Sequence, residues 1–186
     1  MSGSDHTTLE ASPWVRRWSH LVAPGATVLD VACGSGRHVR WFAARGCKVT
    51  AIDRDAAALE ALRPIASVHV TDIEGAPWPL AGARFDAVVC TNYLWRPLLP
   101  TLVDSVAAGG VLICETFAVG NESVGKPSNP NFLLRPGELL EAVRGLRVVA
   151  YEDGFLAAPE RYLQRIAAAR DEAGPAAPRR FDLAPD

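Results

Sequence analysis

The feature that most constrains this chain is an apolar run that breaks into a glycine turn and restarts with helical spacing: Val28-Leu29-Asp30-Val31-Ala32-Cys33-Gly34-Ser35-Gly36-Arg37-His38. Such a segment reads as a strand, a tight turn and a helix start. Glycine accepts backbone dihedrals and close approaches that a side chain forbids. The amides at a helix start carry no partner of their own and favour an anionic group. A chain built around this turn is expected to be a layered α/β fold that seats a ligand at the end of its first strand.

The remaining residues extend that pattern. Ser12-Pro13 reads as a helix cap followed by proline at the first helical position, and Trp14, Val15, Trp18, Leu21 and Val22 recur at helical spacing after it. A helix from about Arg37 ends at Gly46. Strands are expected over 48–52, 66–70, 85–90, 111–115 and 146–151, with helices over 55–62, 97–107 and 136–143. Gly109-Gly110 reads as a turn into the strand over 111–115. The stretch 75–83, with two prolines and two glycines, is a loop. So is 118–131, and a long structureless connection inside a compact domain usually has a function. Residues 161–169 fit a helix or a strand equally. The tail from Gly174 to Asp186, rich in Pro, Ala and charge, is expected to be disordered. The chain reads as one domain over 1–173, without internal repeats.

Composition narrows the function. At 186 residues and 49% apolar the chain suffices for one buried core, and its net charge is −2. A nucleic-acid binder normally carries a basic excess or stripe, and none is present. No two of Cys33, Cys47, Cys90 and Cys114 stand at C-x-x-C spacing, so no metal set is expected. Buried free thiols suit a reducing cytoplasm. The polar first ten residues are no signal peptide, and no apolar run is long enough for a membrane span.

Two further acids follow the glycine turn. Asp53 ends the second strand, where a carboxylate can accept hydrogen bonds from both hydroxyls of a ribose. Asp72, in Thr71-Asp72-Ile73, ends the third and can accept from an exocyclic amine such as that of adenine. Each has a plainer reading: Asp53 or Asp55 as a helix cap, Asp72 as a turn former. A dinucleotide site would want a third glycine where Val39 stands, which counts against a nicotinamide-dependent dehydrogenase, and no Walker lysine follows the turn.

Taken in order, these residues resemble the class I S-adenosylmethionine-dependent methyltransferases. Asp30, Gly34 and Gly36 match the family's first motif, Asp53 its ribose-holding acid and Asp72-Ile73 its adenine contact. Phe85-Asp86-Ala87-Val88-Val89-Cys90 and Gly109-Gly110-Val111-Leu112 match later motifs. Tyr93-Leu94-Trp95-Arg96-Pro97-Leu98 and Asn129-Pro130-Asn131-Phe132 resemble the small bacterial members grouped with tellurite-resistance proteins.

The resemblance implies a doubly wound, mostly parallel seven-stranded sheet with helices on both faces, and S-adenosyl-L-methionine as cofactor. It implies that Ala32, Cys33 and Ser35 line the turn beside the two glycines, that Arg54 follows the ribose acid, and that Thr91 ends the fourth strand beside the cofactor. Residues 1–24 are expected to form a helical lid, with Arg17 reaching the cofactor carboxylate and Trp14 facing the acceptor. Asn92, Tyr93 and Trp95 are expected on the acceptor side, though Trp95 also reads as packing on the following helix. A substrate loop over 117–135 would add Asn131, Phe132 and Arg135. The implied reaction is methyl transfer to a small molecule by in-line displacement, with no side chain assigned as catalytic; His38 reads as a structural group more than as a base. A non-catalytic S-adenosylmethionine-binding regulator is the alternative.

Overall fold

The computed structural model describes residues 10–172 and 179–183. The strands are β1 (Thr27–Val31), β2 (Lys48–Asp53), β3 (Ala66–Val70), β4 (Phe85–Thr91), β5 (Val106–Phe117), β6 (Arg147–Ala157) and β7 (Glu160–Ala169). They form one seven-stranded sheet in the order β3-β2-β1-β4-β5-β7-β6. β1 to β5 pair in parallel, and β7 runs antiparallel between β5 and β6. The helices are α1 (Pro13–Trp18), α2 (Arg37–Ala44), α3 (Ala56–Glu60), α4 (Leu99–Asp104) and α5 (Glu138–Ala142).

Alternation along each strand builds two cores, one per face of the sheet. Val28, Val49, Ala51, Val89, Val111 and Ile113 face one way and pack with Trp14, Trp18, Val39, Phe42 and Leu59 from α1, α2 and α3. Leu29, Val31, Ile52, Val88, Cys90 and Leu112 face the other way and pack with Leu102 of α4 and Leu139 of α5. Residues 161–169 resolve as strand for the same reason. Ala167 and Ala169 enter the first core while Ile166 and Ala168 enter the second.

Three expectations change. Gly109-Gly110 is no turn ahead of a strand but a bulge inside the longer β5, where the register with β4 shifts between Phe85 and Ala87. A Cβ on Gly110 would stand 3.0 Å from the carbonyl oxygens of Phe85, Asp86 and Ala107, so only glycine fits. The helix expected over 97–107 is confined to α4, with a 3-10 turn over Arg96–Leu98 before it. Of residues 1–24, expected to form a lid, 1–9 lie outside the described residues and α1 packs on the body. Ser12 caps α1 as expected, its Oγ accepting from the Val15 N–H at 3.1 Å, but the helix is built into the first core. Trp14, Val15 and Trp18 are at most 2% exposed.

Of the expected disordered tail, residues 174–178 and 184–186 lie outside the described residues. Residues 179–183 instead rest on the body: Phe181 packs against the first core and Arg179 donates to the Gly109 carbonyl. Among the described residues no helix is long and apolar enough to cross a membrane.

Candidate functional site

Strand order reverses at β1, with β2 on one side and β4 on the other, and a crevice opens above the strand ends there. A cavity of about 460 Å³ occupies it. Ala32, Asp53, Arg54, Asp72 and Ile73 line one part, and Asn92, Tyr93 and Phe132 another. Residues expected at the cofactor and residues expected at the acceptor therefore share one space.

The turn between β1 and α2 reaches the cavity through Ala32; Cys33, Gly34, Ser35 and Gly36 are not on its wall. Gly34 and Gly36 hold φ values of +54° and +79°. Nothing stands within 4 Å of where a Gly34 side chain would be, so that face is open to a ligand. A Cβ on Gly36 would sit 2.5 Å from the buried Leu62 side chain, so this glycine closes the helix onto the core instead. Two cavity-lining residues with side chains, Ala32 (φ +52°) and Asn92 (φ +55°), also hold the left-handed conformation. Such strain persists only where the surroundings enforce it, and it clusters at binding sites.

Asp53 is not a helix cap. Its Oδ2 accepts from the Gly34 N–H at 2.8 Å and its Oδ1 from the Asp55 N–H at 2.9 Å, which ties the end of β2 to the turn. Asp55 is the cap, accepting from Ala57 and Ala58 at the start of α3. Asp72 both forms its turn and lines the cavity, accepting from the Glu74 N–H at 3.1 Å. Opposite it, the Tyr93 hydroxyl donates to Glu74 Oε1 at 3.0 Å. Burial foremost, and this carboxylate next, push the Tyr93 phenol far above its usual range, so it stays protonated.

Asp30 is 1% exposed, and its Oδ2 has no hydrogen-bond partner. Burial raises its carboxyl to about 8; nearby Arg37 pulls it down and Asp53 pushes it up. Burial without a full set of partners is what favours the neutral carboxyl. Cys33 is buried under the turn, and its thiol is pushed well up by burial, with Asp30 and Asp53 adding to the effect. Ser35 uses its carbonyl to hold Arg40. The Thr91 hydroxyl accepts from Arg37 at 3.4 Å.

Several expected residues lie elsewhere. Trp14 donates its indole N–H to the Ile166 carbonyl at 3.2 Å and is covered by Arg165, so it cannot face an acceptor. Arg17 pairs with Glu152 at 3.5 Å and lines a different cavity, outside α1. Trp95 packs in the second core, as its plainer reading had it. Arg135 reaches back to Glu138 at 3.6 Å and is absent from the cavity wall. Asn131 contributes its carbonyl to Arg96 at 2.7 Å. Trp14 and Arg17 are drawn off by partners remote in sequence, whereas Arg135 is held by Glu138 three residues on. His38 is 2% exposed, and its Nε2 accepts from the Ser12 N–H at 3.2 Å. Burial and Arg37 lower it to about 3, so it is a neutral structural group.

Phe132 is positioned by Arg96. That guanidinium donates to both oxygens of the buried Glu138, at 2.6 and 3.0 Å, and to the carbonyls of Asn131 and Leu133 on either side of Phe132. Burial raises the Glu138 carboxyl, but the bonds and charge of Arg96 and the Arg135 N–H outweigh it and hold the group below its usual value.

The sequence reading passed over Thr71 and Glu74, which line the cavity, and a polar cluster beyond Thr91. Glu115, at the end of β5, is 1% exposed; Arg165 pairs with one of its oxygens at 3.3 Å and the other has no partner. Arg37 lies within electrostatic reach of Glu115, Asp30 and Arg161. The Arg161 Nε is buried and has no hydrogen-bond partner among the described residues. Glu115 did carry a signal: it is an acid closing an apolar run, as Asp53 is.

Residues 28–109 match a family model described as a methyltransferase domain. Residues 28–109 thus carry a methyltransferase domain, and the chain is similar to the class I S-adenosylmethionine-dependent methyltransferases. The chain is 32% identical over 142 residues to the malonyl-[acyl-carrier protein] O-methyltransferase of Enterobacter lignolyticus, covering 66% of the chain and 54% of that relative. It is 36% identical over 116 residues to the ribosomal protein L11 methyltransferase of Burkholderia mallei, covering 59% and 37%. The chain thus spans about half or less of the length of these relatives. Its fold matches TehB from Haemophilus influenzae with a TM-score of 0.68 at 20% identity, covering 84% of the chain and 61% of TehB. S-adenosylmethionine is the cofactor of this family, and the cavity fits it. The open face at Gly34 and the unsatisfied Asp30 Oδ2 suit a ligand that is polar and cationic at one end.

Proposed function

We propose that this methyltransferase transfers the methyl group of S-adenosylmethionine to a small-molecule acceptor. The observation that carries the reading is that Asn92, Tyr93 and Phe132 line the same cavity as Asp53 and Asp72. An acceptor held by these residues reaches the cofactor inside a space of about 460 Å³, which is the scale of a small-molecule pocket. The net charge of −2 agrees with an acceptor that is not a nucleic acid.

In this reading Asp53 accepts from the ribose hydroxyls, Asp72 and Ile73 hold the adenine, and Asp30 faces the cationic amino-acid end. When bound, the cofactor supplies an electrophilic methyl group on a sulfonium for in-line displacement. The chain contributes position and exclusion of water. Phe132, fixed through Arg96, covers the acceptor side, and the protonated Tyr93 donates to Glu74 and stays uncharged there.

The test is methyl transfer from radiolabelled S-adenosylmethionine into a cell extract split by ultrafiltration, with an acyl-carrier protein and ribosomal protein L11 assayed beside it. Label in the low-mass fraction supports the proposal. Label confined to protein, including either of those two, refutes a small acceptor. Tight cofactor binding without turnover in any fraction favours a regulator.

A further inference from the structure

The helix expected to be a lid carries two arginines that the cofactor cavity does not use. α1 and α2 lie side by side, joined where the Ser12 N–H meets His38. In the groove between their outer faces is a cavity of about 540 Å³, lined by Arg16, Arg17, His20, Trp41 and Arg45 among others. None of the residues lining it lines the cofactor cavity. No acidic side chain lines it among the described residues. The chain as a whole has 21 acids and 19 bases, so three guanidiniums around one concavity are a local concentration of charge.

The guanidiniums are held in place but only weakly neutralised. The Arg16 and Arg45 head groups stand 6.0 and 5.6 Å from the centroid of the Trp41 ring, a cation–π arrangement that keeps both near the groove. Arg16 meets Glu10 at 3.7 Å, but Glu10 is 85% exposed. Arg17 meets Glu152 at 3.5 Å, with both about half exposed. Such pairs contribute little. Arg45 has no ion pair among the described residues.

We propose that this groove is a second ligand site, for a compact polyanion of the pyrophosphate type, either free or as the diphosphate of a nucleotide. Guanidinium forks match the oxygens of phosphate groups two at a time. One carboxylate would satisfy one fork, whereas linked phosphates can engage all three. The concave shape and its volume suit a small ligand more than the face of a macromolecule. Because the arginines are half exposed, binding is expected to weaken as salt is added.

The test is calorimetric titration of the full chain at low salt with pyrophosphate and with ADP, repeated on the double variant Arg16→Gln/Arg45→Gln. Saturable one-to-one binding of pyrophosphate, weakened about tenfold or more in the variant by the loss of two charged donors, is the expected result. S-adenosylmethionine affinity should be unchanged in that variant, which also shows it to be folded. ADP binding as tightly as pyrophosphate assigns a nucleotide, and clearly weaker ADP binding assigns the free anion. No saturable binding of either ligand overturns the proposal. So does equal binding by the double variant, or displacement of pyrophosphate by S-adenosylmethionine, which would put the anion in the cofactor cavity.

Discussion

In the proposed site, Asp30 makes cofactor binding a proton-linked event. Its carboxyl is buried, half unsatisfied and raised to about 8, so at pH 7 it is about nine-tenths protonated in the empty site. A cationic ligand beside Oδ2 selects the ionised form and must expel that proton. Each pH unit below 8 then costs about 1.4 kcal/mol of binding, or a factor of about ten. Between pH 5.5 and 7.5 the wild-type affinity for S-adenosylmethionine should rise about 75-fold, with close to one proton released per cofactor bound at the acid end. Asp30→Asn keeps the neutral shape and removes the titration. Its affinity should be weak and nearly flat over the same range. Calorimetry in two buffers of different ionisation enthalpy reads both the affinity and the proton count. A wild-type affinity that does not change with pH, or an equal slope in Asp30→Asn, refutes the assignment of Asp30 to the cationic end of the cofactor.

The other expectations use the same geometry. Asp53→Ala should weaken cofactor binding by about 1.5–3 kcal/mol, because it removes a charged acceptor and releases the Gly34 N–H; unchanged affinity by titration would take Asp53 out of the site. Gly36→Ala should destabilise the fold by about 2–4 kcal/mol in urea unfolding, from its left-handed backbone and its clash with Leu62. Gly34→Ala faces open space, so it should lose less stability than Gly36→Ala and lose cofactor affinity instead. His38 is held neutral, at about 3 in the fold against a usual 6.5. The unfolded chain therefore takes up the extra proton between those values, and stability falls on acidification through that window by about 1.4 kcal/mol per pH unit. Unfolding from pH 7 to pH 4 should show that slope in the wild type and its loss in His38→Gln; parallel curves for the two proteins would contradict it.

Each half of the candidate site was legible in the sequence only in part: some residues expected at the cofactor, and Asn92, Tyr93 and Phe132 of those expected at the acceptor, line one cavity, and the others do not. Asp53 and Asp72-Ile73 were named from strand ends, and Ala32 and Arg54 from the resemblance; all five line the cavity. Their position follows from local chemistry, since a strand end fixes where its last side chain points. Trp14, Arg17, Trp95 and Arg135 were also named, and each is held elsewhere. An amphipathic helix announces that one face is buried, not what it is buried against. Glu115, Arg37 and Arg161 show the converse. They come from β5, α2 and β7, and only the order of the sheet brings their charges together.

By itself the sequence determined the alternation of strands and helices, the glycine turn with its acids, and through them the class of cofactor. Those features depend on periodicity and on backbone preferences that act within a few residues. Only the tertiary structure decided that β7 enters antiparallel between β5 and β6, that α1 is core rather than lid, and that Phe132 stands over the cavity. These outcomes rest on contacts between segments far apart in the chain, such as the Arg96–Glu138 pair and the Trp14–Ile166 hydrogen bond. Packing of two cores against one sheet selects among many arrangements that the local pattern allows equally.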